Sequence, residues 1–240
     1  MILELDAGNT FLKWRLVSLQ GDVKRRGQLY TRDQAQVDWQ GVLGEATVDV
    51  IRVASVAGAE FNKRLSVRLN ECYGVDVKFA STALEQAGVI NSYEDPSRMG
   101  VDRWLVMLAA WNDCRAPCCI VDCGSAITVE YLDEGGRHEG GYIMPGLRLL
   151  KSSLLTNTAE ILVDRTAEGF STEPGCHTSA AVEHGINLMF KALQEKILAS
   201  LEPNMRLYIT GGDGKIFHRL CGEGDYRPEL VMDGLVWALS

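Results

Sequence analysis

A short Asp-x-Gly motif occurs twice in this 240-residue chain, the second copy nearly half a chain length after the first. The copies are Asp6-Ala7-Gly8-Asn9-Thr10 and Asp122-Cys123-Gly124-Ser125-Ala126, which lie 116 positions apart (6 to 122). Each follows an apolar segment typical of a buried strand, and its glycine permits a tight turn that a side chain would block. The repetition predicts an α/β domain that has been duplicated, with the two turns facing each other across a cleft.

The same repeat predicts a domain boundary. Residues 113–117 lie directly before the apolar strand of the second copy, which begins at Cys118. We therefore expect an N-terminal domain over residues 1–115 that carries the first turn. A C-terminal domain over residues 116–240 would carry the second turn.

Three further segments lead to expectations about local structure. Thr31 has the chemistry of a helix N-cap, because its hydroxyl can accept a hydrogen bond from a free backbone N–H group. Residues 81–98 are polar, include Pro96, and predict an irregular loop of the kind that often carries function. Residues 228–239 predict a helical stretch at the C-terminus.

The composition excludes some classes of function. The net charge of -8 argues against a broad surface for nucleic acid or an anionic membrane. No apolar run approaches the roughly 20 residues of a membrane span, and no basic segment precedes Met1–Leu5 as in a signal peptide, so a cytoplasmic location is predicted. The seven cysteines lack zinc-site spacing and are interpreted as reduced, packed thiols, and the four histidines as surface or packing residues.

The two turns have the chemistry of a phosphate site. Their backbone N–H groups and the hydroxyls of Thr10 and Ser125 can donate to phosphate oxygens. Asp6 and Asp122 can hold a cation that bridges to the phosphates, and Lys13 adds a positive charge. A single Asp-Gly turn is usually only a β-turn, so it is the matched pair that favours phosphate binding. The chain has no G-x-x-x-x-G-K-[ST] run and hence no Walker A loop.

The segment Gly100-Val101-Asp102-Arg103 offers groups that could bind an acceptor substrate and activate its hydroxyl for attack on the phosphoryl group. Asp102 could take the proton of an attacking hydroxyl, and the Arg103 guanidinium could bind a substrate carboxylate or the transferred phosphate. The same four residues also read as an ordinary helix start with an acidic first turn and a solvated arginine. Spacing alone favours that second interpretation.

Taken together, these motifs resemble those of the type III pantothenate kinases of bacteria, which belong to the actin, Hsp70 and sugar-kinase superfamily. The resemblance covers nearly the whole chain. It rests on five segments taken in order. They are residues 6–10 with Lys13, Tyr93 together with residues 100–103, residues 122–126 with Thr128, residues 140–146, and residues 210–212.

The resemblance implies a fold and a reaction. The fold would be two actin-like (ribonuclease H-like) α/β domains, each a mixed five-stranded sheet flanked by helices, with a cleft between them. The reaction would transfer phosphate from ATP to pantothenate, giving 4'-phosphopantothenate in the first step of coenzyme A biosynthesis. Mg²⁺ would accompany ATP, and the family also uses a monovalent cation, K⁺ or NH₄⁺.

The resemblance also implies roles for residues. Asp102 would be the general base, Asp122 would coordinate the monovalent cation, and Thr178 would reach the pantothenate bound by the partner subunit of a homodimer. The ATP-binding residues would be Asp6, Ala7, Gly8, Asn9, Thr10, Phe11, Leu12, Lys13 and Ser125. Pantothenate would be bound by Tyr93, Gly100, Val101, Asp102 and Arg103. Two positions depart from the family pattern: Ser125 stands where Thr is common, and His177 where Asn is frequent.

Two other functions fit the same motifs in part. Some relatives resemble non-catalytic accessory transcription regulators, which need no base aimed at a hydroxyl. A nucleotide or polyphosphate hydrolase would use water as the acceptor and would need no substrate segment from Tyr93 to Arg103. Asp102 beside two intact turns, in an acidic chain, favours the kinase.

Overall fold

The computed structural model describes residues 1–44, 46–158, 161–164 and 169–239. In chain order the first half forms β1 (Ile2–Ala7), β2 (Phe11–Val17), β3 (Val23–Tyr30), a 3-10 helix (Thr31–Gln36), α1 (Trp39–Leu43), β4 (Val50–Ser55), α2 (Ala59–Tyr73), β5 (Val77–Phe79), β6 (Glu85–Gln86), β7 (Val89–Ile90), a 3-10 helix (Pro96–Arg98) and α3 (Val101–Cys114). The second half forms β8 (Cys118–Cys123), β9 (Ala126–Leu132), β10 (His138–Pro145), α4 (Leu147–Asn157), α5 (Thr178–Ser200), β11 (Arg206–Thr210), α6 (Gly214–Cys221), β12 (Asp225–Tyr226), α7 (Leu230–Asp233) and α8 (Leu235–Ala238).

These elements form two compact units. Unit 1 contains residues 1–115, 136–138 and the C-terminal segment from Glu229, and unit 2 contains 116–135 and 139–228. The chain passes from unit 1 to unit 2 between Arg115 and Ala116. It differs from a simple division at that point because the C-terminal segment packs with unit 1.

Unit 1 is built on a five-stranded mixed sheet of order β3-β2-β1-β4-β5. β1 and β2 are antiparallel, as are β2 and β3, whereas β1, β4 and β5 are parallel. Apolar side chains from β1, β4 and α2 pack into its core, including Leu3, Ile51 and Leu65, which are fully buried. The turn between β1 and β2 carries the first Asp-x-Gly motif.

Unit 2 repeats this arrangement with a sheet of order β10-β9-β8-β11-β12. β8 and β9 are antiparallel, and β8, β11 and β12 are parallel. Val121, Ile209 and Phe217 are buried in the core of this unit. Because strands take corresponding places in both sheets, the predicted duplication of a mixed five-stranded sheet is confirmed.

Buried charges explain why the C-terminal segment belongs to unit 1. Arg15 on β2 donates a 2.7 Å hydrogen bond from Nε to Glu4 on β1. Its Nη1 donates to Asp233 of α7 at 2.7 Å and to Glu229 at 3.1 Å. A buried arginine requires such partners, because an unpaired buried charge is strongly unfavourable.

Three local predictions need correction. Tyr30, not Thr31, occupies the N-cap position, and the helix it precedes is 3-10. The C-terminal stretch is two short helices separated at Gly234, where a Cβ atom would lie 2.2 Å from the backbone oxygen of Leu105. The segment 81–98 is not wholly irregular, because β6 and β7 pair as a hairpin within it.

Every cysteine is described by the structure as a thiol and not as half of a disulfide. Cys118, Cys119 and Cys123 are buried, as the interpretation of packed thiols predicted, whereas Cys176 is exposed. Among the helices that the structure describes, none is long and apolar enough to cross a membrane.

Candidate active site

The first turn is closed by its own backbone. Asp6 and Lys13 are opposite each other in the antiparallel pairing of β1 and β2, and Ala7 is opposite Leu12. The Gly8 N–H then donates a 3.0 Å hydrogen bond to the Phe11 carbonyl. Asn9 and Thr10 form the tip, and the Asn9 side chain is exposed. The structure therefore brings together the residues predicted to bind phosphate in this turn.

Thr31, the first residue of the 3-10 helix that follows β3, stabilises the first turn by hydrogen bonds, a role that the sequence did not reveal. Its hydroxyl donates a 2.7 Å hydrogen bond to the Gly8 carbonyl, and its N–H donates a 3.0 Å bond to the Thr10 carbonyl. The Thr31 side chain is buried. These two bonds fix the backbone on both sides of Asn9. A signal for them exists in the register of β2 and β3, which pairs Phe11 with Tyr30 and so puts Thr31 beside the turn.

Asp6 is in an unusual electrostatic environment. Burial raises the pKa of its carboxyl group to about 6, even though part of the side chain faces solvent. The positive charge of Lys13 opposes this rise, and the charge of Asp102 adds to it. A carboxylate that is this poorly solvated would gain from a cation beside it.

Asp102 is the second residue of α3, which begins at Val101. Its Oδ1 accepts a 2.8 Å hydrogen bond from the Arg103 N–H. A Cβ atom on Gly100 would lie 2.5 Å from the same oxygen, so the glycine leaves the space that the carboxylate occupies. The helix-start interpretation of this segment is correct, and it is compatible with a catalytic role because Asp102 acts electrostatically on Asp6 of the first turn.

Tyr93 and Arg103 form a polar pair next to Asp102. The buried Arg103 side chain donates a 2.8 Å hydrogen bond from Nη1 to the Tyr93 hydroxyl. The Tyr93 backbone N–H donates to Oδ1 of the buried Asn91 at 3.0 Å. The prediction of a solvated arginine is therefore wrong, and the structure joins Tyr93 to the segment 100–103 as a substrate site requires.

The second turn, in unit 2, resembles the first. Asp122 is opposite Thr128 in the pairing of β8 and β9, and the Gly124 N–H donates a 3.0 Å bond to the Ala126 carbonyl. Ser125 is exposed at the tip, and its carbonyl accepts a 3.0 Å bond from the Gly146 N–H. This bond explains why a glycine follows Pro145, since a Cβ atom at Gly146 would lie 2.6 Å from the Ser125 carbonyl oxygen.

The end of β11 packs closely against Asp122. Gly211 has a φ of +89°, and a Cβ atom there would lie 2.4 Å from Oδ1 of Asp122. The Asp213 N–H donates a 2.9 Å bond to the Cys123 carbonyl. Burial raises the pKa of Asp213, while the charge of Arg148 opposes the rise. Asp213 and Arg148 did not emerge from the sequence as candidates, because neither belongs to the repeated motif.

Thr178 lies at the first position of α5, exposed, on an open and largely apolar depression of unit 2. His177 caps this helix, and its Nδ1 accepts a 3.3 Å hydrogen bond from the Ala180 N–H. The histidine thus performs the capping task that an Asn at this position could also perform.

Comparison with known proteins decides the family. The family model described as type III pantothenate kinase matches residues 2–200. The chain belongs to the type III pantothenate kinase family. A type III pantothenate kinase of Marinobacter nauticus is 37% identical over 237 residues, which cover 98% of this chain and 96% of the relative. One of Chromohalobacter salexigens is 38% identical over 247 residues, covering 99% of this chain and 85% of the relative.

The fold agrees with this assignment. A solved structure from Sinorhizobium meliloti, named as a 2-dehydro-3-deoxygalactonokinase, matches with a TM-score of 0.61 at 12% identity, covering 99% of this chain and 98% of that chain. At that identity the match shows only the shared fold. The predicted actin-like fold is therefore confirmed, and the chain is a phosphotransferase by family.

Proposed function

We propose that this protein transfers the γ-phosphoryl group of ATP to the primary hydroxyl of pantothenate, giving ADP and 4'-phosphopantothenate as the first step of coenzyme A biosynthesis. Membership of the type III pantothenate kinase family supports the reaction. The observation that carries the residue assignment concerns the pKa of Asp6 in the first turn, which burial raises and to which the charge of Asp102 adds. This effect supports a candidate base near a candidate phosphate site.

Asp102 is the base in this proposal. As the hydroxyl oxygen attacks phosphorus, its proton passes to the Asp102 carboxylate, and the bond from the γ-phosphorus to the bridging oxygen of ADP breaks. The Arg103 N–H holds one carboxylate oxygen at 2.8 Å, so the carboxylate has a fixed orientation when the hydroxyl arrives. Asp6–Lys13 positions the phosphates, with Lys13 neutralising part of their charge.

Tyr93 and 100–103 hold pantothenate. Arg103 donates to one lone pair of the Tyr93 hydroxyl, so the phenolic hydrogen is available for a substrate oxygen. An arginine suits a carboxylate such as that of pantothenate, because its planar guanidinium can donate to both carboxylate oxygens. Arg103 follows Asp102 in the sequence and bonds Tyr93, so in this proposal a pantothenate held by the pair presents its hydroxyl to the base.

The Asp6 carboxylate in the first turn suits Mg²⁺ that is bound together with ATP. Within the described ranges, no group of three or more His, Cys, Asp or Glu side chains is arranged to bind a metal. Mg²⁺ typically keeps several waters and is held by one or two carboxylates plus substrate phosphates, which suits the poorly solvated Asp6. Bound there, Mg²⁺ would neutralise charge on the phosphates.

We assign Ser125 to ATP and Asp122 to a monovalent cation, K⁺ or NH₄⁺. Gly211 is consistent with the second assignment, because a side chain at that position would overlap the Asp122 carboxylate. We further propose a cytoplasmic homodimer in which Thr178 contacts the pantothenate of the partner subunit.

An assay of ADP release tests the proposal. The purified protein is supplied with MgATP in potassium buffer, with pantothenate, with other small hydroxy acids or with no acceptor. We expect release that depends on pantothenate, together with stoichiometric 4'-phosphopantothenate by mass spectrometry. Release without an acceptor would identify a hydrolase, and no release under any condition would favour a non-catalytic regulator.

A further inference from the structure

His138 contacts the proposed acceptor site. It is the first residue of β10, is only 1% exposed, and belongs to unit 1. Its Nδ1 and the Ser92 hydroxyl share a 2.9 Å hydrogen bond. Its ring lies 6.3 Å from the Tyr93 ring, centre to centre, with 28° between the planes. His138 therefore contacts two consecutive residues of the segment that carries Tyr93.

Together with the contacts of Asn91 and Arg103, these contacts restrict the backbone, the hydroxyl and the ring of Tyr93. Asn91 fixes its backbone N–H. Arg103 fixes its hydroxyl and also lies over its ring, 5.6 Å from the ring centre, and His138 supplies the aromatic ring that stacks against it. Residues 92–98 are all exposed or half-buried, whereas Val89 and Met99 on either side are buried. The histidine therefore supplies a buried aromatic neighbour to a stretch with no buried residue of its own.

The backbone that carries His138 is itself closely packed. Gly136 has a φ of +77°, and a Cβ atom there would lie 2.3 Å from the Gly88 carbonyl oxygen and 2.8 Å from the Trp111 ring. The Gly136 carbonyl also accepts a 3.0 Å hydrogen bond from the Ile90 N–H. Trp111 lies on α3, the helix that begins with Asp102 and Arg103. His138 is thus fixed relative to the helix that supplies the base.

We propose that His138 is a positioning residue for the acceptor substrate, which holds the Tyr93 ring and the Ser92 hydroxyl so that Tyr93 and Arg103 meet pantothenate in one geometry. This inference rests on the proposed function. From the sequence alone, this histidine is interpreted as a surface or packing residue. The proposal gives it a role in the affinity for the acceptor, with no part in proton transfer.

Two substitutions separate the contribution of the His138 ring from that of its hydrogen bond to Ser92. His138→Asn retains a group that can bond Ser92 but loses the ring, and His138→Phe retains the ring but loses the bond. We expect His138→Asn to raise KM for pantothenate about 2- to 10-fold, the range for an aromatic pair, with a smaller rise in His138→Phe. KM for ATP should stay within twofold in both, and kcat should change less than KM for pantothenate.

A double-mutant cycle with Tyr93→Ala decides whether the effect passes through Tyr93. In the Tyr93→Ala background, His138→Asn should add no further rise in KM for pantothenate. A further rise of the original size there, or an unchanged KM in both single variants, would overturn the role of His138. If Tyr93→Ala itself leaves KM for pantothenate unchanged, the acceptor site is misassigned and the proposed function must be revised.

The chain offers a matched control and a safeguard. His218 stacks on Tyr226 in unit 2 at 6.0 Å, also with 28° between the planes, and its Nε2 bonds the Gly224 carbonyl at 3.0 Å. His218→Phe removes that polar contact and should leave KM for pantothenate unchanged.

If the His138 variants do not fold, as judged by Tm, Ser92→Ala removes the same hydrogen bond from an exposed residue. It should raise KM for pantothenate as His138→Phe does, and an unchanged KM would count against the proposal.

Discussion

The carboxylate of Asp102, in the first turn of α3, contributes to raising the pKa of Asp6, near the end of β1. Burial is the larger cause, and Lys13 opposes both. Two carboxyl groups of different predicted roles are thus linked in one unit. Because the charge of one affects the pKa of the other, neutralising Asp102 should be measurable at Asp6.

The affinity for MgATP should depend on the ionisation of Asp6. Below a pH of about 6 its carboxyl group is protonated in the free protein and cannot hold a cation. We expect the dissociation constant for MgATP, measured by titration calorimetry from pH 5 to 8, to rise as the pH falls through this value. Asp102→Asn should move the midpoint to lower pH because it removes a like charge. A midpoint that stays in place in that variant would contradict the link.

Asp6→Asn should stabilise the ligand-free protein at neutral pH. Its pKa is 3.8 when unperturbed and about 6 when folded, so ionisation opposes folding. This cost is absent well below pH 3.8 and fully present above about pH 6, where it reaches at most about 3 kcal/mol. Urea unfolding at pH 8 should show a higher free energy of unfolding for the variant, with the difference shrinking toward pH 4. An equal gain at both values would point to a cause other than charge.

Asp102→Asn should abolish most turnover without abolishing nucleotide binding. A positioned base typically contributes about two to four orders of magnitude to the rate. We expect kcat to fall by that amount while the dissociation constant for MgATP at pH 8 changes less than about threefold. Wild-type kcat in this variant would remove Asp102 from the mechanism. Asp95→Asn is a suitable control, because this carboxylate is exposed and accepts hydrogen bonds from Ser97 in its own turn, so kcat should stay unchanged.

The sequence predicted the parts of this protein that depend on repetition and local pattern. The two Asp-x-Gly turns follow the expected strands, and α3 begins at Val101, inside the segment 100–103 that reads as a helix start. What the sequence missed depends on contacts between distant residues. Thr31 braces Gly8 across 23 positions, and Arg15 holds Asp233 across 218, and neither bond has a local pattern that announces it. His138 was similarly hidden, since only the folded chain brings it to Ser92.

Gly211 and Gly212 should tolerate alanine very differently. Gly211 has a φ of +89° and its Cβ would overlap Asp122, whereas a Cβ at Gly212 meets nothing within 4 Å. A left-handed conformation at a non-glycine residue costs about 1–3 kcal/mol, to which the overlap adds. We expect Gly211→Ala to lower Tm by several degrees and Gly212→Ala to leave it unchanged. Equal Tm values for the two variants would mean that β11 does not pack on Asp122 as described.

The proposed monovalent site makes a prediction about salt. If Asp122 binds K⁺ or NH₄⁺, activity should be high in either ion and fall at least about tenfold when sodium replaces them at equal ionic strength. Asp122→Asn should lower activity in potassium and lose most of the remaining dependence on the cation, because the neutral amide binds a cation more weakly than a carboxylate does. Constant ionic strength removes general screening as an explanation. Full activity of the wild type in sodium and magnesium alone would show that Asp122 serves another purpose, such as orienting the turn at Ser125.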